Sequence, residues 1–153
     1  MKTFVALFLL SFFFPFATAD LFCNVFGCLG RNVDETVADG LNSVLAGKET
    51  PVEPANPLYS TFRIDSVGTP TFDGCTVSAP VEVRYVGQNG APDQPGDAVI
   101  TGTWDWCALF TEFSVCITGL EVSSLDFDSS PGTTLEQFAQ AYINDSLDDP
   151  ECF

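Results

Sequence analysis

Apolar and polar residues alternate most regularly from Cys75 to Tyr85. Cys75, Val77, Ala79, Val81, Val83 and Tyr85 fall on one side, and Thr76, Ser78, Glu82 and Arg84 on the other. A period of two belongs to a half-buried β-strand. Pro80 sits in the outward set and has no amide donor, which predicts an edge position or a bulge. Phe62 and Ile64 alternate with Arg63 and Asp65 in a shorter strand, and three more are expected over Ala98–Trp106, Phe110–Thr118 and Leu120–Phe127. Gly87–Asp97 is turn chemistry throughout and predicts a loop. Gly47–Pro57 carries three prolines and predicts an extended connector.

Two stretches carry the helical period instead. Val33, Val37, Leu41, Val44 and Leu45 share a stripe, with Asn32 as N-cap, Glu35 at the third helical position and Gly47 as the stop. Leu135, Phe138, Ala139, Tyr142 and Ile143 form the second stripe, with Thr134 as N-cap and Gln137 three residues on. The expected fold is α+β: an antiparallel sheet of four to five strands with the N-terminal and C-terminal helices packed on one face.

The first nineteen residues follow another rule. Lys2, an apolar run from Val5 to Phe16 and the small-x-small end Ala17-Thr18-Ala19 have the form of an export signal. The expected organisation is therefore residues 1–19 as signal and 20–153 as one secreted domain that begins at Asp20. No second apolar run is long enough to span a bilayer, so no membrane span is expected after cleavage.

Export changes the reading of the cysteines. Cys23, Cys28, Cys75, Cys107, Cys116 and Cys152 form an even set, which in an oxidising compartment predicts three disulfides. Fifteen pairings exist. The preferred one joins Cys152 to Cys23 or Cys28, Cys75 to the other, and Cys107 to Cys116 across neighbouring strands.

Charge narrows the partners. Once Lys2 is removed, Arg31, Lys48, Arg63 and Arg84 face 21 carboxylates. That surface repels phosphate backbones and anionic headgroups, so nucleic acid is not an expected partner.

The chain has no histidine, which removes Ser-His-Asp and Cys-His catalysis and histidine metal sites. A carboxylate hydrolase is the enzymatic alternative that survives, with Asp105 between Trp104 and Trp106 as its candidate. Alternation gives a simpler account of Asp105, as an outward residue between two inward tryptophans. No cofactor is implied. Asp126–Ser130 has alternating oxygens but neither the glycine nor the glutamate of an EF-hand loop, leaving a loose calcium site there or in the acidic tail as the metal alternative. Asn144-Asp145-Ser146 is an N-glycosylation sequon, expected on the solvent side of the second helix.

Trp104 and Trp106 share a strand face. Covered, they fill the sheet–helix interface. Open, they form a stacking platform, or with Tyr85 and Phe113 they line a small apolar cavity. The expectation is a secreted, non-enzymatic binding module with Trp104, Trp106, Tyr85 and Phe113 as candidate ligand-binding residues. Its ligand would be a small apolar molecule or an extracellular protein. A rival expectation is an inhibitor or effector acting through the proline-rich connector and the Gly87–Asp97 loop.

Overall fold

The computed structural model describes the backbone of residues 33–109 and 112–152, with their side chains except at 33, 34, 105–109 and 112–114. The expected signal, Asn32, Cys23 and Cys28 lie outside the described residues. In chain order the elements are α1 (Val33–Leu45), β1 (Glu49–Pro51), β2 (Tyr59–Val67), β3 (Thr71–Asp73), β4 (Thr76–Gly87), β5 (Gln94–Leu109), β6 (Glu112–Phe127), α2 (Thr133–Asp145) and β7 (Glu151–Cys152). The strands form one curled antiparallel sheet in the order β1-β2-β4-β5-β6-β7, and β3 also pairs with β4.

Among the described residues seven strands replace the four or five expected. The additions, β1, β3 and β7, are two or three residues long, too short to leave a periodic signal. Two expected strands also merge. Phe110–Thr118 and Leu120–Phe127 belong to the single sixteen-residue β6, which absorbs the irregularity between them as bulges. Its register with β5 shifts between Thr101 and Thr103 and between Val99 and Ile100, and Gly119, at φ 62°, supplies the left-handed residue of the first shift. The expected Gly87–Asp97 loop is shorter, because β5 begins at Gln94.

The long alternation is confirmed. Val77, Ala79, Val81, Val83 and Tyr85 are buried and Pro80 is exposed. Pro80 is not on an edge strand, however, since β4 lies between β2 and β5. Its carbonyl accepts the Gly68 amide at 2.8 Å, so its missing donor faces the gap where β2 has ended and β3 has not begun. No ladder bond is lost there, which is why a central strand tolerates it.

Both helices feed one core. Val37, Leu41 and Leu45 of α1 and Leu135, Ala139 and Ile143 of α2 are buried with Phe62, Ile64, Val81, Val83 and Tyr85. α1 lies on β2 and α2 against β6, on a sheet that curls. α1 stops at Gly47, at φ 80°, as expected. The N-cap of α2 is Gly132, with no side-chain bond, instead of Thr134. Ser130 ties that end down, its hydroxyl accepting the Gly132 amide and donating to Glu136 Oε1.

One disulfide is fully described, and it corrects the preferred pairing. Cys116 on β6 is joined to Cys152 on β7 with Cα atoms 4.0 Å apart. The two residues face each other directly in the ladder. In the backbone ladder Cys107 faces Ser114 and Cys116 faces Asp105, and because Cys116 is bonded to Cys152 the expected Cys107–Cys116 link does not form. Cys75 is also disulfide-bonded.

Candidate functional site

The four aromatic candidates do not form one site. Tyr85 is fully buried and pairs with Gln94, whereas Trp104 lies ten residues further along β5, about 30 Å away at the rise of an extended strand. Tyr85 packs against Tyr59, Phe62 and Phe127, with ring centroids 5.0–5.4 Å apart, and its hydroxyl donates to the Leu135 carbonyl at 2.6 Å. Burial, and secondarily the charge of Glu136, pushes the Tyr85 phenol well above its ordinary value. Trp104 is 3 % exposed, meets Phe72 edge-on, and donates from Nε1 to the Gly74 carbonyl at 3.0 Å. Both are core residues with their polar atoms satisfied. Trp106 and Phe113 share the Trp104 end of the β5–β6 ladder, opposite Val115 and Ala108; their side chains, like that of Asp105, lie outside the described residues.

The outer sheet face carries the charge. Arg63 and Arg84 face each other across β2 and β4, and both guanidinium groups bond to Asp65, at 2.7 and 2.5 Å. Asp65, through its hydrogen bond and then its charge, holds Arg84 protonated even more firmly than usual. One step along the strands, Ser66, Glu82, Asp97 and Asp126 form a row across β2, β4, β5 and β6. All three carboxylates are exposed, and like charges directly opposite one another are unfavourable. Replacing the middle one, Asp97→Thr, should raise unfolding free energy by about 0.5 kcal/mol at low ionic strength. Urea titrations should show the gain shrink in 1 M salt, where screening is nearly complete.

The oxygens of Asp126–Ser130 are engaged separately. Ser129 donates to Gln94 Oε1 at 2.7 Å, Ser130 to Glu136 at 2.6 Å, and Asp126 faces Asp97 across the ladder. Among the described residues no group of three or more His, Cys, Asp or Glu converges to hold a metal ion.

A groove of about 270 Å³ does exist, between β6 and α2. Ser123, Ser124, Leu125, Thr133, Glu136, Gln137 and Gln140 line it. Beside it the outward edge of β6 is met group by group. Ile117 pairs with Glu151 of β7, the Gly119 amide donates to Asp149 Oδ1 at 3.0 Å, and the Val122 amide donates to Asn144 Oδ1 at 2.9 Å. Gln140 Nε2 reaches the Val122 carbonyl at 3.5 Å. Asn144 is therefore half-buried and turned onto β6, not out to solvent as the helical wheel suggested, because the bulge at Val122 presents an amide that no described strand reaches. The Asp128 amide donates to the Pro95 carbonyl, so in this antiparallel ladder the backbone groups of Leu125 and Phe127 point away from β5. Among the described residues no group meets them.

The sequence pattern marked this segment as a strand without marking its edge. Which strand ends a sheet depends on pairing, and alternation is the same at an edge as at a centre. Comparison with protein-family models, curated proteins and solved structures returns no match. Among the described residues no helix is long and apolar enough to cross a membrane.

Proposed function

We propose that the protein is an exported, non-enzymatic binding module that holds a protein partner in the groove between β6 and α2. The observation carrying this reading is the backbone of Leu125 and Phe127, which no described residue covers, beside a groove with mixed polar and apolar walls. Trp104 and Tyr85, the described members of the aromatic set, are consumed by the core, which favours the protein-partner form of the expectation over a small apolar ligand. Export rests on the pattern of residues 1–19, and three disulfides on the even cysteine count in an oxidising compartment. Absence of histidine is the basis for a non-enzymatic role.

The test is capture from the protein's native extracellular fluid, run beside a Gln137→Trp variant. Gln137 is exposed on α2 and lines the groove, so the indole should fill it without touching the core. The expected result is one protein recovered in stoichiometric amount by the native chain and lost with the variant. Equal recovery by both would remove the groove from the binding surface.

A further inference from the structure

We infer that the β6 edge takes its partner by strand addition, and that the segment added is an extended one carrying lysine or arginine opposite Asp126. The inference rests on the binding reading above and specifies its mode and chemistry.

Strand addition follows from which backbone groups are already satisfied. Along β6, outward-pointing groups are met at Ile117 by β7, at Gly119 by Asp149, and at Val122 by Asn144 and Gln140. These side chains do what a neighbouring strand would do. Among the described residues the series stops at Leu125 and Phe127, where the groove opens. Two donors and two acceptors spaced two residues apart match the repeat of an incoming extended chain, which binds through main-chain hydrogen bonds and draws specificity from alternate side chains. Exposed edges are normally blunted by lysine, proline or a covering element, and Ser124, Leu125, Asp126 and Phe127 include neither lysine nor proline.

The charge follows from the register. With Leu125 and Phe127 as the hydrogen-bonded positions, Asp126 takes the non-hydrogen-bonded position, where side chains on paired strands come closest. Its outer face already carries the carboxylate row Glu82, Asp97, Asp126. An incoming strand adds the next member of that row. A carboxylate there would meet Asp126 directly, and a cation would relieve the row. The groove wall adds Glu136 on the inner side, so both faces of the added strand meet negative charge.

The test uses isotopically labelled mature protein with its disulfides intact, titrated with acetyl-Thr-Val-Lys-Val-Thr-amide and with the same peptide carrying glutamate at the centre. Amide spectra report each position separately. The lysine peptide should shift the Leu125 and Phe127 amides and slow their exchange with solvent. It should bind about fivefold more tightly than the glutamate peptide at low salt, the ratio expected from one favourable cross-strand charge pair replacing one unfavourable pair. Asp126→Lys, at an exposed position, should reverse the preference. No change at Leu125 and Phe127 with either peptide would overturn strand addition, and equal affinities would overturn the charge assignment. If either occurs while Gln137→Trp still abolishes capture of the native partner, the groove reading stands and only this inference falls.

Discussion

Replacing Tyr85 with alanine should cost about 3–5 kcal/mol of folding free energy, the range for removing a large buried aromatic. Tyr85 is fully buried at a junction of three elements. Its ring touches Tyr59 and Phe62 of β2 and Phe127 of β6, and its hydroxyl reaches α2 at Leu135. Alanine would leave a void among rigid rings that cannot collapse into it. Tyr85→Phe keeps the ring and loses only the hydrogen bond, so it should cost about 1 kcal/mol. The pair separates packing from polarity in urea titrations. The two variants should also differ in alkali. Burial disfavours the phenolate, so the native pKa lies above the unfolded value of about 10. The stabilisation is then complete below about pH 10 and is lost as pH rises through the raised native value. Tyr85→Phe lacks this group and should lose part of the alkaline fall in stability. An unchanged alkaline slope would remove Tyr85 as its source.

Removing the β6–β7 bridge should have a comparable effect. Cys116 and Cys152 are 36 residues apart in sequence, for which the chain-entropy account gives about 4 kcal/mol. The double substitution Cys116→Ala with Cys152→Ala is the cleaner test, since it leaves no unpaired thiol. Beyond entropy, the bridge places Asp149 on the Gly119 amide and Glu151 opposite Ile117, so its loss uncovers that part of the β6 edge. Hydrogen exchange should rise first at Ile117 and Gly119, with the Val122 amide held longer by Asn144. A loss below about 1 kcal/mol would mean that the two-residue β7 is held by its ladder and side-chain contacts alone. A non-reducing peptide map should return the Cys116–Cys152 peptide and join Cys75 to one of Cys23, Cys28 and Cys107.

Both predictions concern features that local pattern could indicate only in part. The strand from Val77 to Tyr85, its inward face, the short strand through Phe62 and Ile64 and both helical stripes were legible, because period two and period 3.6 are local properties of the chain. So were the stop at Gly47 and the outward position of Pro80. The three short strands, the fusion of two expected strands into β6 and the glycine cap of α2 were not, since each exists only through what lies beside it. Thr134 offers a hydroxyl as good as any for capping, yet the chain enters the helix one residue after Gly132.

The candidate site divides the same way. By itself the sequence determined that Tyr85 lies on the apolar side of an alternating strand, that Trp104 and Trp106 share one strand face, that histidine is absent and that carboxylates far outnumber basic residues. That Trp104 is buried was decided by the structure. Only the tertiary structure decided that Trp104 and Tyr85 stand far apart in one core. It also decided that Cys116 faces Cys152, that Asn144 serves β6, and that among the described residues nothing meets the outward backbone of Leu125 and Phe127. The physical reason is that periodicity reports which side of a strand is buried, whereas pairing order, register and edges are set by contacts between residues distant in sequence.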